Sequence, residues 1–231
     1  WQAEALPIII ENIKQGKKPV VSAIMGSGKS VLIAELVNVA LGNLKKDQVI
    51  VVTAPRQALV RQLSATIGRR CGESNVGSFY AHSKNIKAKV IVTCNASTLE
   101  LAHRLRFKRV VMLVGDEVHG TESDGFKSAY TMIQPACAVG FTATPFRSKE
   151  KETLSLWDCV AYRYTAGDAL QDEVIVPWDL VQWNGEDFDK KEVDQICLKM
   201  IYSKGDGPGI VSALNIEDAE KFAEFLNQNG I

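Results

Sequence analysis

Residues 23–30 of the chain read AIMGSGKS, and this stretch decides which fold the remaining sequence is expected to build. A short segment at 19–22, rich in apolar and β-branched residues, precedes it and predicts a buried strand. Residues 31–41 follow with apolar side chains at helical spacing, and Gly42 stands where a helix would end. A strand, a glycine-containing loop, Lys-Ser and a helix form the context that a phosphate-binding loop requires. A Gly-Ser turn before an ordinary helix is the alternative, and the flanking elements favour the phosphate-binding loop.

The residue types in this stretch suit an anion and a divalent cation. Backbone N–H groups of such a loop point at one spot, and the dipole of the following helix favours negative charge there. Gly26 and Gly28 can adopt backbone angles that are closed to other residues. Lys29 supplies a mobile positive charge, and the Ser30 hydroxyl is short enough to ligate Mg²⁺. The stretch therefore predicts a site for a nucleotide and Mg²⁺.

Composition limits the remaining possibilities. A chain of 231 residues with 46% hydrophobic content can form one large α/β domain and a piece of a second. The 27 basic and 27 acidic residues balance, so any nucleic-acid binding must come from a local surface. Because the chain begins at Trp1 without Met and stops just after a helical pattern, we expect it to be a fragment.

Cysteine usage and hydropathy indicate the cellular compartment in which the protein is expected. The five cysteines are scattered, and neither they nor the three histidines show the spacing of metal ligands, so we expect reduced thiols rather than structural zinc or disulfides. No apolar run approaches the roughly 18 residues of a membrane span, and no signal peptide is present. These features predict an intracellular protein of the cytoplasm, nucleus or nucleoid without membrane contact.

Apolar segments alternate with helical patterns from residue 20 to about residue 145, which predicts an α/β fold with a parallel, doubly wound sheet and helices on both faces. Besides the strand before the loop, strands are predicted at 49–54, 78–80, 90–93, 110–114 and 136–142. Helices are predicted at 1–14, 31–41, 56–67, 95–105 with Asn95 as its N-cap, and 125–133. Residues 68–77 are predicted as a loop and residues 84–89 as a charged turn. Polar clusters stand where strands end, at the edge where such sheets bind ligands.

The pattern loosens after residue 149. Strands are predicted at 157–164 and 174–183 around a short helix at 167–172, followed by a helix at 193–202. A break at 205–209 precedes a new strand at 210–214 and a helix at 216–227. We therefore predict a first domain over 1–185, a linker over 186–208 and the start of a second domain over 209–231.

A pair of acids follows the strongest predicted strand. Asp116 and Glu117 stand directly after apolar residues 110–114. A nucleotide triphosphatase with a phosphate-binding loop needs a carboxylate at a strand end to hold Mg²⁺ and a base to orient the attacking water. Asp116 suits the first role and Glu117 the second, whereas the alternative is a pair of solvated acids in a turn. His119 is predicted to link this site to the next strand end.

These motifs together resemble those of superfamily 2 DNA/RNA helicases and translocases of the DExH type. The loop AIMGSGKS matches that group's A-x-x-G-x-G-K-[ST], which accounts for Ala23 where other phosphate-binding loops have glycine. DEVH at 116–119 is similar to motif II, TAT at 142–144 to motif III and TAPRQALVRQ at 53–62 to motif Ia. VIVTCNASTL at 90–99 resembles the segment after motif Ib.

Further segments resemble one branch of that superfamily, which holds DNA-repair helicases, phage recombination helicases and restriction-enzyme translocases. GFTATPFR at 140–147 and RYTAGDALQDEVIVP at 163–177 carry this resemblance. Trp1-Gln2 resembles the end of the adenine-reading Gln motif, and residues 209–231 resemble motif IV, which opens a second RecA-like domain. The resemblance covers nearly the whole chain and implies a RecA-like fold.

The resemblance implies a role for each matching residue. It implies that Lys29 contacts the β- and γ-phosphates of ATP, that Ser30 and Asp116 hold Mg²⁺ and that Glu117 activates water. Adenine is expected at Gln2, and the phosphates are expected in a cradle made by Gly26, Ser27 and Gly28. Thr142 and Thr144 are expected to couple the state of ATP to domain movement.

Nucleic acid is the implied partner, with DNA expected first and RNA as the alternative. Backbone amides, hydroxyls and arginine bind phosphates without reading base sequence. The residues expected to contact the nucleic-acid backbone are Pro55, Arg56, Gln57, Thr93 and Asn95.

Three functions remain open at this point. The first is an ATP-dependent nucleic-acid helicase or translocase. The second is a nucleotide- and nucleic-acid-binding module with little turnover, because the arginine finger of the family's motif VI is worth about 10³- to 10⁵-fold in rate and has no counterpart in these residues. Arg147 does not replace that arginine finger, because it follows the TATP turn and belongs to the first domain. The third is an ATPase acting on proteins or small molecules, which would leave Pro55–Gln57 and residues 142–144 unexplained.

Overall fold

The computed structural model describes residues 1–145, 154–176, 195, 197–198 and 215–230. Its strands are β1 Pro19–Ala23, β2 Gln48–Ala54, β3 Val76–Tyr80, β4 Ser83–Lys84, β5 Val90–Cys94, β6 Arg109–Asp116, β7 Cys137–Thr142 and β8 Cys159–Tyr164. Its α-helices are α1 Gln2–Lys14, α2 Lys29–Leu41, α3 Gln57–Cys71, α4 Thr98–Arg104, α5 Asp124–Ile133, α6 Ala166–Gln171 and α7 Ile216–Gln228. Short 3₁₀ turns lie at Glu73–Asn75, Asn95–Ser97 and Val118–Glu122.

The strands form one sheet in the order β4-β3-β5-β2-β6-β7-β1-β8. All neighbouring pairs run parallel except β3 and β4, which pair antiparallel at the sheet edge. The predicted α/β fold with a parallel, doubly wound sheet is confirmed. The predicted charged turn at 84–89 was wrong at its first residue, because Lys84 pairs with Phe79 across a short hairpin.

Both faces of the sheet are covered by helices, as the continuous apolar strands predicted. Successive side chains of a strand point to opposite faces. In β2, Ile50 and Val52 belong to the core shared with α1, α2 and α3, whereas Val49 and Val51 belong to a second cluster with α4. A third cluster joins Leu113 of β6 to Phe126 of α5. The alternation therefore places a helical layer on each side.

The carboxyl ends of the parallel strands form the edge of the sheet that carries the candidate site, here called the carboxyl edge. Strand β7 lies between β1 and β6, with Ser22 opposite Thr142 and Asp116 opposite Phe141. This register brings the end of β6, the end of β7 and the loop after β1 to neighbouring positions. Strands β2 and β5 end side by side at the same edge.

Two helix boundaries differ from the prediction. Helix α3 continues to Cys71 rather than ending at residue 67, because Gly68 is buried within it and the backbone turns only at Gly72, whose φ is 86°. The predicted cap at Asn95 was wrong. A 3₁₀ turn occupies Asn95–Ser97, and α4 begins at Thr98, so the Asn95 side chain caps neither element.

The chain divides into two compact units, Trp1–Pro177 and Trp178–Ile231. In the second unit the predicted helix at 216–227 is confirmed as α7, and the Asn215 side chain accepts a hydrogen bond from the Asp218 N–H at 2.9 Å. Of the predicted strand at 174–183, residues 174–176 are not in a strand.

Several predictions lie outside the described residues. These are the rest of that strand, residues 186–191 of the linker, the break at 205–209, the strand at 210–214 and Arg147. Of the helix predicted at 193–202, residues 195, 197 and 198 are described and are helical. The domain boundaries at 185 and 208 stay predictions. Within the described part of the chain, no helix combines the length and the apolarity needed to cross a membrane.

Candidate functional site

The loop between β1 and α2 has the backbone that its glycines allow. Gly26 and Gly28 have φ angles of 80° and 90°, in the left-handed region that side chains disfavour. A Cβ atom at Gly28 would also lie 2.7 Å from the Gln2 Nε2 atom. The positive φ angle is what favours glycine at this position, because the Gln2 amide ends a flexible side chain that can move aside.

Lys29 begins α2 and folds back over the loop. Its side chain is nearly buried, and its Nζ atom donates to the carbonyl oxygens of Ala23 at 3.0 Å and Ile24 at 3.5 Å. The same nitrogen lies 3.7 Å from the Glu117 Oε1 atom. Ser30 follows in the first turn of α2 and is half-buried. The structure thus brings the loop lysine, Ser30 and one predicted catalytic acid to one place.

An aromatic stack that the sequence did not reveal supports the loop from one side. The Trp1 Nε1–H donates to the Ser27 carbonyl at 2.9 Å, and the Gln2 amide donates to the same oxygen at 3.3 Å. The Trp1 ring stacks on Tyr164 of β8, with centroids 5.0 Å apart and planes inclined by 19°. The Trp1-Gln2 pair was the available signal, but nothing local connects it with a tyrosine about 160 positions later.

Asp116 ends β6 in a nearly buried position. Its Oδ1 atom accepts the Glu117 N–H at 3.1 Å. Burial raises the pKa of Asp116 from 3.8 to about 6, with a further increase from the Glu117 charge and an opposing effect of Lys29. Glu117 has φ 51° and ψ 58°, an uncommon conformation for a residue with a side chain. Such strain persists where surrounding contacts hold it, and it concentrates at functional sites.

Thr142 connects the DEVH turn with the end of β7. Its hydroxyl donates to Glu117 Oε2 at 3.4 Å and accepts the Thr144 N–H at 3.1 Å. The His119 Nδ1 atom lies 3.3 Å from the same hydroxyl and 3.4 Å from Glu117 Oε2. Glu117, His119 and Thr142 therefore form a triangle of mutual contacts, with Thr144 attached through its backbone.

The residues at this edge fit a nucleotide with Mg²⁺. The Ser30 hydroxyl and the Asp116 carboxylate are oxygen donors of the kind that Mg²⁺ prefers. A carboxylate whose pKa is raised first by burial and then by a neighbouring acid is strongly stabilised by a nearby divalent cation. Lys29 and the backbone at Gly26 and Gly28 supply the positive charge and the close approach that phosphates need.

A second region of the carboxyl edge forms a groove where β2 and β5 end and α5 begins. Its volume is about 490 Å³, and it is lined by Pro55, Asn95, Ala96, Leu99, Ser123, Gly125 and Phe126. The Asn95 Oδ1 atom is buried and has no hydrogen-bond partner in the described part of the chain. A buried polar atom without a partner is costly, so this oxygen is suited to accept a hydrogen bond from a ligand.

The other predicted nucleic-acid contacts differ in accessibility. Arg56 is exposed in an extended conformation directly before α3, and Gln57 is the first residue of that helix. Thr93 is completely buried, and its hydroxyl donates to the Cys94 carbonyl at 3.3 Å. The structure therefore does not place Thr93 at the predicted surface, because β5 is an interior strand of the sheet.

Comparison with protein families assigns the chain. A sequence model described as SWI2/SNF2 ATPase matches residues 1–204, which is most of the chain. The chain belongs to the SWI2/SNF2 ATPase family. It is thus a helicase-type ATPase domain of superfamily 2, in agreement with the resemblance seen in the motifs. No curated protein sequence gave a significant match.

Solved structures of SWI2/SNF2 and related helicases share the fold. The chain is similar to the Sulfolobus solfataricus SWI2/SNF2 ATPase core in complex with dsDNA, with a TM-score of 0.57, 18% identity and coverage of 68% of this chain and 34% of that one. It is similar to the Pyrococcus furiosus Hef helicase domain, with a TM-score of 0.57, 17% identity and coverage of 92% of this chain and 50% of that one. It is also similar to the UvsW helicase from bacteriophage T4, with a TM-score of 0.53, 15% identity and coverage of 63% of this chain and 54% of that one. The chain spans about a third to a half of the length of these relatives.

Proposed function

We propose that this SWI2/SNF2 chain supplies the ATP-binding half of a DNA-stimulated ATPase that moves along DNA. The observation that carries the proposal is the triangle of Glu117, His119 and Thr142 beside Lys29, because it connects the candidate hydrolytic residue with the end of the neighbouring strand β7.

The proposed binding step uses the loop after β1. The ATP phosphates would lie against the backbone at Gly26, Ser27 and Gly28, with Lys29 on the β- and γ-phosphates and Gln2 at the adenine. Lys29 would exchange its contact with Glu117 for the phosphates, since a phosphate carries more charge than one carboxylate. Ser30 and Asp116 would hold Mg²⁺, which supplies charge stabilisation to the transferring phosphoryl group.

The proposed chemical step uses Glu117 as the residue that orients water for attack on the γ-phosphate. Thr142 and His119 hold the Glu117 carboxylate by the contacts described above and would change them as the charge on the phosphates changes. Thr144 follows Thr142 through its backbone hydrogen bond. These contacts give the nucleotide state a direct route to the segment after β7.

The groove at Pro55 and Asn95 is the proposed path of the nucleic-acid backbone. It lies at the same carboxyl edge as the nucleotide site, and exposed Arg56 and half-buried Gln57 stand beside it. Backbone binding of this kind does not depend on base sequence. DNA is proposed rather than RNA because one relative is described in complex with dsDNA.

A binding module with little turnover remains the second candidate for these 231 residues. The chain covers a third to a half of its structural relatives. An arginine finger from a second domain would be worth about 10³- to 10⁵-fold. The isolated chain is therefore expected to bind ATP and to hydrolyse it slowly.

The deciding experiment measures ATP hydrolysis by a chain that contains both domains, with and without DNA or RNA. Stimulation by DNA that Lys29→Ala abolishes is the expected result. Stimulation by RNA alone would change the proposed partner. ATP hydrolysis that neither nucleic acid accelerates would contradict the proposal and revive an ATPase acting on other substrates.

A further inference from the structure

A basic patch lies at the edge of the sheet opposite the nucleotide site. Parallel strands β5, β2 and β6 are neighbours, so their first residues meet at one edge, here called the amino edge. The segments that lead into them, residues 45–47, 87–89 and 106–109, contain seven basic residues and one acid, Asp47. In a chain of zero net charge this concentration is a strong local asymmetry.

Backbone contacts confirm that the three segments are adjacent. The Arg109 N–H donates to the Asp47 carbonyl at 3.1 Å, and the Ile50 N–H donates to the Lys89 carbonyl at 2.9 Å. The Lys108 Nζ atom donates to the Ile86 carbonyl at 2.6 Å. Since neighbouring strands lie about 4.8 Å apart, the three strand starts span roughly 10 Å. The basic side chains thus share one continuous surface.

The charges of this surface have no acidic partner among the residues that the structure describes. Its exposed basic residues are Lys45, Lys46, Lys87, Lys89, Arg106 and Arg109. None of them forms an ion pair with another described residue, whereas Arg70, Lys84 and Lys127 on other surfaces each pair with a glutamate. These six residues together with Phe107 are called the amino-edge patch. Their positive charges are available to an external polyanion.

Phe107 gives the amino-edge patch an aromatic platform. A tight turn closes with the Lys108 N–H donating to the Leu105 carbonyl at 2.7 Å, and this turn holds Arg106 and Phe107 at its tip. The Phe107 side chain is 82% exposed, and the Arg106 guanidinium lies 4.6 Å from its ring centroid. An exposed phenylalanine among cations has no role in the core of this domain. Aromatic rings beside basic side chains form stacking platforms for unpaired bases.

We propose that the amino-edge patch is a second nucleic-acid-binding surface that holds single-stranded DNA. The six cations contact its phosphates, and Phe107 stacks on an unpaired base. Strand β2 has seven residues, so this surface lies about 20 Å from the groove at Pro55. The amino-edge patch is therefore separate from the proposed translocation path. It would let the domain hold a displaced or neighbouring strand. A paired duplex does not offer Phe107 a base face, which favours a single strand over a duplex.

The test measures binding of a fluorescent oligo(dT) of about 20 nucleotides to the 231-residue chain by anisotropy at several salt concentrations. Phe107→Ala is expected to weaken binding about fivefold or more. The double variant Arg106→Gln/Arg109→Gln is expected to lower the slope of log affinity against log salt by about 1.4, since each phosphate contact on a single strand contributes about 0.7. The matched control Lys127→Gln/Lys221→Gln removes the same charge elsewhere and is expected to leave the slope near that of the unmodified chain.

Further measurements separate this proposal from the proposed function. Arg56→Gln alters the groove at the carboxyl edge, so it is expected to weaken total oligo(dT) binding while the loss caused by Phe107→Ala in the same background stays about fivefold or more. If Arg56→Gln abolishes binding while the Phe107 and double arginine variants bind normally, the amino-edge proposal is overturned and the groove stands. If polyglutamate of equal charge displaces oligo(dT) with equal affinity and Phe107→Ala has no effect, the surface serves an acidic protein and the proposal is also overturned. Circular dichroism melts verify that each variant is folded.

Discussion

The Lys29 Nζ atom lies 3.7 Å from the Glu117 Oε1 atom, so the lysine at the start of α2 forms an ion pair with the candidate hydrolytic acid. Both side chains are largely shielded from water, with 10% and 20% of their side-chain surface exposed. Removing one partner would leave the other charge poorly compensated. If Lys29 contacts the ATP phosphates as proposed, ATP binding competes with this internal ion pair.

This competition predicts opposite effects on binding and hydrolysis for Glu117→Gln. The amide cannot hold Lys29 as an ion pair, so ATP affinity is expected to stay equal or to increase. Hydrolysis by a two-domain chain is expected to fall about 10²- to 10⁴-fold, the usual contribution of a general base. Fluorescent ATP-analogue titration and single-turnover hydrolysis measure the two effects. A marked loss of ATP affinity would show that Glu117 supports the loop rather than competes with the phosphates.

Thr142 is predicted to act through its hydroxyl. Thr142→Val removes the donor to Glu117 and the acceptor for the Thr144 N–H while keeping the side-chain shape. A hydrogen bond to a charged group is worth about 1.5–3 kcal/mol, so the DNA-stimulated rate of a two-domain chain is expected to fall about 10- to 100-fold. Thr142→Ser keeps the hydroxyl and is the matched control. Equal rates for the valine and serine variants would exclude the hydroxyl from the mechanism.

Asp116 is predicted to make stability depend on pH. Its pKa is raised from 3.8 to about 6 in the folded domain, so the folded state binds the proton more tightly than the unfolded state. Stability is therefore expected to fall as pH rises from about 4 to about 6 and to show no further effect of this group above that range. Asp116→Asn removes the penalty and is expected to raise the free energy of unfolding by up to about 3 kcal/mol at pH 7.5.

Urea denaturation at pH 4.5, 5.5 and 7.5 without nucleotide or Mg²⁺ measures this difference between Asp116→Asn and the unmodified chain. The difference between the two chains is expected to be smallest at pH 4.5, where Asp116 is largely protonated in the folded state but still mostly ionised in the unfolded state, so that only part of the penalty remains. A difference that is constant over the three pH values would contradict the raised pKa as its cause.

Trp1 is predicted to stabilise the phosphate-binding loop through two separable contacts. Trp1→Phe keeps an aromatic ring against Tyr164 but loses the indole donor to the Ser27 carbonyl, and it is expected to cost about 1 kcal/mol of unfolding free energy. Trp1→Ala also loses the stack, which adds about 0.5–1.5 kcal/mol together with the loss of buried area. Chemical denaturation of both variants gives the two contributions. Identical stability of the phenylalanine variant and the unmodified chain would remove the hydrogen bond from this account.

The sequence predicted the parts of the site whose chemistry depends on neighbouring residues in the chain. The loop at 23–30 was predicted because strand, glycines, lysine and helix follow each other directly. The ends of β6 and β7 were predicted because apolar strands stop at polar residues there. Strand alternation then implied that these ends lie at one edge, and the register of Asp116 opposite Phe141 bears this out.

Contacts between distant segments were beyond the reach of sequence patterns. The stack of Trp1 on Tyr164 depends on β8 pairing beside β1, and no local signal fixes strand order at the sheet edge. Asn95 was expected to cap a helix because its residue type favours caps, but a 3₁₀ turn intervenes and leaves its Oδ1 atom without a partner in the described part of the chain. Thr93 was expected to contact nucleic acid because its segment resembles a helicase motif, whereas the structure buries its side chain completely in β5.

The position of β7 between β1 and β6 makes the catalytic geometry sensitive to a kind of change that motif inspection would overlook. Deleting Ala138 or Val139 from the interior of β7 would keep every motif quoted above. It would shift the strand by one residue, exchange its two faces and carry Thr142 away from Glu117. A natural or engineered variant with such a deletion would still be recognised as a member of the family and yet lack a working connection between its nucleotide site and the segment after β7.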